Sequence, residues 1–209
     1  YSDAMNQNTA SVTIREVGLR DGLQSIARIL PTERKLEWIH DAYAAGQREI
    51  EVGSFVPART LPQLADTAEL VAYAKTLPGL TVSVLVPNLK GAERALESGA
   101  HALLVPLSAS HAHSLANLRK APDDVVQEIA AIRDLRDAAG SACRIEVGIS
   151  TAFGCTIQGR VEVSEVLRLL RDQKWNIQAT IEFEYKIPPG SDRMTEIARA
   201  IKYCRDALA

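Results

Sequence analysis

The chain has 209 residues, 46% of them hydrophobic, with 24 basic against 26 acidic side chains and a net charge of -2. That balance offers no basic surface for nucleic acid or an anionic membrane, and no apolar run nears the roughly 20 residues that span a bilayer. The composition is that of a globular domain able to bury a sizeable core.

Residues 1–11 are polar and read as a loose, tag-like N-terminus without the pattern of a signal peptide. Val12, Ile14 and Val17 then predict a buried strand that ends at Gly18, followed by Arg20, Asp21 and Gly22. Pro31-Thr-Glu opens a helix running to about Ala45, with Thr32 as N-cap and Gly46 as stop. Residues 48–53 form a second strand and 62–76 a second helix. A third strand covers 81–86, a helix 89–98, a fourth strand 102–107, and a Ser/Ala/His loop follows it. Helix 123–139, strand 144–150 and helix 163–172 complete five alternations of strand and helix. A sixth strand begins at Ile181, Pro188-Pro-Gly190 makes a turn, and 193–208 is a last helix.

Strand and helix in alternation mark βαβ units and a parallel sheet. The expected fold class is α/β, a parallel (β/α) TIM-barrel-like domain over 12–209. Six βα units make it incomplete, since the usual barrel has eight and about 250 residues. Unpaired parallel edges seek partners, which predicts a homo-oligomer. The three cysteines, Cys143, Cys155 and Cys204, lack metal-type spacing, which points to a reducing, cytoplasmic setting.

A strand that ends in Gly and then offers a cation and a carboxylate places charge at the mouth of a parallel barrel. Asp21 can bind a hard divalent metal, and Arg20 can stabilise an oxyanion beside it. An exposed Arg–Asp pair at a strand end is the plainer reading of the dipeptide alone. Five segments add to it. REVGLRDGLQ, REIEVGSFVPAR, LVPNLKG, SASHAHSLANLRK and AFGCTIQGR, in this order, resemble 3-hydroxy-3-methylglutaryl-CoA lyases, metal-dependent enzymes on a TIM barrel. The resemblance covers about 12–172. It implies a retro-Claisen carbon–carbon lyase acting on a 3-hydroxyacyl-CoA with Mg²⁺ or Mn²⁺. Asp21 matches the family's metal-binding aspartate, Arg20 its enolate-stabilising arginine, and Glu51 the glutamate near the catalytic centre. Gln24, Asn88 and Lys90 lie just past strand ends, where they could meet substrate, Lys90 through a CoA phosphate. Turn chemistry or simple solvation would also account for them.

His111 and His113, at i and i+2, could share a metal on one face of a strand, but they fall in the predicted loop, and the family's ligating pair lies later. Cys155 is either packing or chemistry. From about residue 173 the family pattern stops: its Asp-Thr strand, His-x-His strand and Gly-rich loop with a reactive cysteine are missing. Residues 173–209 instead resemble, weakly, the last βα unit of xylose isomerase-like sugar isomerases and epimerases. In that family a glutamate on this strand binds metal, which nominates Glu182 as a second ligand. An alternating strand with Glu182 and Glu184 on a wet face explains the same residues. Three functions follow: a lyase, active or inactivated by its missing ligands; an engineered or truncated chimeric scaffold without catalysis; and a sugar isomerase-like metal enzyme.

Overall fold

A computed structural model of the chain describes residues 14–152, 154–162, 178–181, 187, 189–192, 195 and 199. Among these residues five strands, β1 (Glu49–Ser54), β2 (Thr81–Leu85), β3 (Ala102–Ser108), β4 (Arg144–Ser150) and β5 (Gln178–Ile181), lie side by side in chain order. All pairs are parallel, and β3 and β4 stay in register over Ala102–Ser108 against Arg144–Ser150. A parallel sheet in simple chain order, with helices between, is a segment of (β/α) barrel wall. The predicted class stands.

Among the described residues the α-helices are α1 (Thr32–Ala44), α2 (Thr67–Ala74), α3 (Leu89–Ser98), α4 (His111–Leu118) and α5 (Pro122–Ala138). Along the strands, one set of side chains packs on the helices: Ile50, Val82, Val84, Leu103, Val105, Ile145 and Val147, all buried. The alternate set faces the inside of the curve and is mostly polar or small: Glu49, Glu51, Ser83, Ser108, Glu146 and Gly148. Gly53 lets α2 sit hard against β1, since a Cβ there would fall 2.3 Å from Thr67 Oγ1. That hydroxyl accepts from Ser54 N and donates to backbone oxygens of Ser54 and Leu64. Gly46 (φ 99) ends α1 in the left-handed region, with amides of Gly46 and Gln47 returned to Tyr43 and Ala42 oxygens.

Several elements differ from expectation for identifiable reasons. Residues 14–17 do not make a buried apolar strand: among the described residues only Glu16 joins the ladder, opposite Ile50. Ile14 and Val17 are exposed. The segment turns Arg15 inward instead, because Glu49 and Glu146 wait there: Arg15 Nη2 donates to Glu49 Oε1 at 2.6 Å and Glu146 Oε1 at 2.9 Å. Its Nη1 lies 2.6 Å from Glu146 Oε2, an ion contact too poorly angled for a hydrogen bond. Pro31, not Thr32, precedes the first turn of α1, and the Thr32 hydroxyl donates to Asp66 Oδ2 at 2.9 Å. The expected helix 62–76 breaks into a short turn (Pro62–Leu64) and α2, because Asp66 is held by Thr32 and by the buried Lys35, whose Nζ lies 2.7 Å from Asp66 Oδ1. The Ser/Ala/His loop is largely helix α4, started by Ser110 Oγ accepting from His113 N at 3.2 Å. Strand β5 begins at Gln178, earlier than expected. The N-terminal residues 1–13, the predicted helices 163–172 and 193–208, and Glu182 and Glu184 lie outside the described residues. Among those described, no helix is long and apolar enough to cross a membrane.

Candidate active site

The charged end of the leading segment is built by one wide turn, Gly18–Gly22, a single π-type turn beyond Glu16. It separates two neighbours in sequence. Arg20 goes inside, 8% exposed, while the Asp21 side chain stays 58% exposed. Glu51 comes from β1, just before a bulge that offsets the register against β2 between Glu51 and Gly53. Such bulges re-aim side chains next to functional sites.

The three side chains meet. Arg20 Nε donates to Glu51 Oε1 at 2.7 Å and Nη2 to Glu51 Oε2 at 3.3 Å, a forked grip on one carboxylate. Arg20 Nη1 donates to Asp21 Oδ1 at 2.8 Å, and Gln24 Nε2 reaches the same oxygen at 2.9 Å. Both donors address Oδ1, which leaves Oδ2 to a ligand. Burial pushes the Glu51 carboxyl above the ordinary carboxylate range, and the Arg20 guanidinium pulls it only part of the way back.

Arg20, Asp21 and Gln24 border an open cleft of about 480 Å³. Its other walls include Leu104 and Pro106 of β3, Gly148 and Ser150 of β4, and His113, Asn117 and Leu118 of α4. Of the residues expected from sequence, Arg20, Asp21 and Gln24 line the cleft and Glu51 stands behind Arg20. Asn88 caps α3, its Oδ1 accepting from Gly91 N at 2.9 Å, and Lys90 is exposed; the neighbouring Pro87 lines the cleft. Sequence reasoning passed over Ser150 and Asn117, and treated His113 as a loop residue. On a helix, i and i+2 point some 200° apart, so His111 is exposed while His113 lines the cleft, and the two do not form a metal-binding pair.

Cys155 is buried and outside the cleft lining. Burial would raise its thiol, but the Ser110 hydroxyl at 3.1 Å and the amides of Gln158, Ile157 and Gly159 outweigh it and lower the value. Among the described residues no group of three His, Cys, Asp or Glu side chains could hold a metal ion. Among the described residues Asp21 is the one carboxylate that lines the cleft, and Mg²⁺ or Mn²⁺ needs further donors or waters.

The profile of the HMGL-like family matches residues 11–203, beyond residue 172 where the resemblance read from the sequence ends. A hydroxymethylglutaryl-CoA lyase of Bacillus subtilis is 35% identical over 158 residues, 76% of this chain and 52% of that protein. A 3-hydroxy-3-isohexenylglutaryl-CoA/hydroxy-methylglutaryl-CoA lyase of Pseudomonas aeruginosa is 37% identical over 161 residues, 77% of this chain and 53% of the relative. The chain thus spans about half the length of these relatives. Among solved structures, the Bacillus subtilis HMG-CoA lyase superposes with a TM-score of 0.80 at 28% identity, covering 93% of this chain and 64% of that one. An HMG-CoA lyase from Acinetobacter baumannii, in complex with coenzyme A and 3-methylmalate, gives 0.80 at 29% identity over 94% and 63%. With five parallel strands in barrel order and the Arg20–Asp21–Glu51 cluster at their rim, this chain belongs to the HMGL-like family, whose matching relatives are hydroxymethylglutaryl-CoA lyases.

Proposed function

We propose that the chain is a carbon–carbon lyase that cleaves a 3-hydroxyacyl-CoA, such as 3-hydroxy-3-methylglutaryl-CoA, with release of acetyl-CoA. The observation that carries this reading is the forked hold of Glu51 on Arg20 at the cleft. A retro-Claisen cleavage builds negative charge on the thioester oxygen of the leaving fragment. A guanidinium already fixed in place stabilises that charge without reorganisation. Glu51 holds Arg20, Arg20 binds the oxygen, and Gln24 contacts the substrate. Asn88 and Lys90, beside the Pro87 wall, meet the CoA end.

Asp21, through Oδ2, is the ligand this chain would contribute to Mg²⁺ or Mn²⁺, with Glu182, nominated from the sequence, as a second. A bound divalent cation would polarise substrate oxygens. The described residues alone do not complete such a site. Self-association belongs to the same reading, because a parallel edge seeks a partner.

The test is acetyl-CoA release from 3-hydroxy-3-methylglutaryl-CoA with Mg²⁺ or Mn²⁺, beside Asp21→Asn. Metal-dependent turnover that falls at least about 100-fold in the variant supports the proposal. Turnover indifferent to Asp21→Asn overturns the metal role. A second reading, a scaffold without catalysis, draws on the absence of a three-ligand cluster among the described residues. It wins if calorimetry finds no metal binding at millimolar levels and no turnover occurs. An isomerase-like reading rests on Glu182 and would need sugar epimerisation lost in Glu182→Gln.

A further inference from the structure

Resting on the lyase reading, we propose that His113 is the proton-carrying residue of the cleft, held for that task by Ser108. Helix α4 begins at Ser110, so His113 falls in its first turn and lines the same cleft as Arg20 and Asp21. Its Nδ1 lies 2.7 Å from Ser108 Oγ, and that hydroxyl lies 3.1 Å from Ser150 Oγ. Ser108 is 1% exposed, so this chain of bonds is internal. With Nδ1 committed, Nε2 is the ring nitrogen left for a ligand.

The other ionisable lining groups are unsuited to moving a proton. Arg20 stays charged and has no lone pair to offer. Asp21 is tied to Arg20 and Gln24 and is the residue reserved for a cation. Histidine can take and return a proton near neutral pH. Among the described residues, the charged or titratable groups that border the cleft or belong to its helix are Arg20 and Asp21 from the Gly18–Gly22 turn and His111 and Arg119 at the two ends of α4. The adjoining ends of β3 and β4 bring only Ser108 and Ser150.

The step balances within the cleft. The resting imidazole donates from Nδ1 to Ser108 Oγ, whose own proton goes to Ser150 Oγ, and Nε2 holds the lone pair. Nε2 takes the proton of the substrate's 3-hydroxyl as that oxygen becomes a ketone. The C2–C3 bond breaks and its electron pair passes to the thioester, whose enolate oxygen meets Arg20. Nε2 then returns the proton to C2. An O–H and a C–C bond are lost, a C=O and a C–H bond are gained, and no oxidant or reductant enters.

The experiment compares wild type, His113→Gln and Ser108→Ala for acetyl-CoA release from pH 5 to 9, with circular dichroism as the check on folding. His113→Gln is expected to lower kcat by about 10² to 10⁴ with little change in KM, and to erase the acidic limb of the pH profile. Ser108→Ala, altering a positioning residue, is expected to lower kcat about tenfold and to move that limb. A His113→Gln enzyme that keeps both kcat and the limb overturns the proposal. Should wild type show no turnover, the lyase reading fails on its own. His113 is then judged by ring nitrogen NMR of the wild-type chain with 3-methylmalate. Movement of the His113 signals, with the exposed His111 as control, supports ligand contact through Nε2, and unmoved signals overturn it. The same NMR measurement decides the matter if His113→Gln does not fold.

Discussion

Replacing Glu51 by Gln separates positioning from stability. Glu51 is 1% exposed, and burial outweighs Arg20 in setting its carboxyl above the ordinary value of 4.5. The folded protein therefore holds the Glu51 proton more tightly than the unfolded chain does. The stabilisation this brings is complete below about pH 4.5 and is lost as pH rises through the folded value. Gln mimics the protonated carboxyl: it keeps an acceptor for Arg20 Nε and cannot ionise. Arg20 is not left alone, because Asp21 Oδ1 remains 2.8 Å from Nη1. The variant should lie within about 1 kcal/mol of wild type at pH 4.5 and equal or exceed it at pH 8, a shift of a few degrees in Tm for a chain of this size. Activity should move the other way. Losing one prong of the fork frees the guanidinium to swing toward Asp21, and a misplacement of about 1 Å costs about 100-fold in kcat. Thermal unfolding at both pH values and acetyl-CoA release at pH 8 measure the two effects. A Tm lowered by more than about 10 °C at pH 8, or an unchanged kcat, refutes the reasoning.

Arg15→Leu takes the inner cation from Glu146, whose side chain is 1% exposed, and from Glu49 at 11%, leaving the half-exposed Arg144. Breaking a buried pair costs about 3–5 kcal/mol, and Arg144 retains part of it, so urea unfolding at pH 8 should show a loss of roughly 2–3 kcal/mol, and an unchanged midpoint would contradict the burial of the pair. The cysteines should differ in reactivity: burial pushes the Cys143 thiol up to about 11, whereas the Cys155 thiol is lowered by its donors. Iodoacetamide at pH 8, followed by peptide mass spectrometry, should label Cys155 before Cys143, and the reverse order would contradict the geometry.

Elements with apolar faces and local caps were legible from the residues. Helix α3 was read to the residue because Gly99 stops it in the left-handed region, whereas the cap at its start, Asn88, was taken for a substrate or turn residue. Strand β4 was equally clear from Ile145, Val147 and Ile149. The leading segment was misjudged because its inward face is charged. Only Glu49 and Glu146, 34 and 131 residues away, explain why Arg15 turns in and Ile14 does not. Helix α4 carries little apolar periodicity and depends on the Ser110 cap and on Gln158 Oε1, which accepts from Ala112 N. Its signal was the Ser110 hydroxyl ahead of an amide three residues on. Missing that helix meant missing His113, since imidazoles at i and i+2 share a face on a strand and part on a helix. Arg20 and Asp21 were legible as a charged rim, but their division into a buried cation and an exposed carboxylate follows from the π-type turn, which no residue pattern announced.

Arg20→Lys is the most direct measurement of the central claim. Lysine keeps the charge but cannot take the fork from Glu51 or reach Asp21 at the same time. Acetyl-CoA release from 3-hydroxy-3-methylglutaryl-CoA should proceed in wild type and fall by about 10² to 10³ in kcat in the variant, with KM nearly unchanged. A wild type without turnover, or a lysine variant that matches it, would contradict the account.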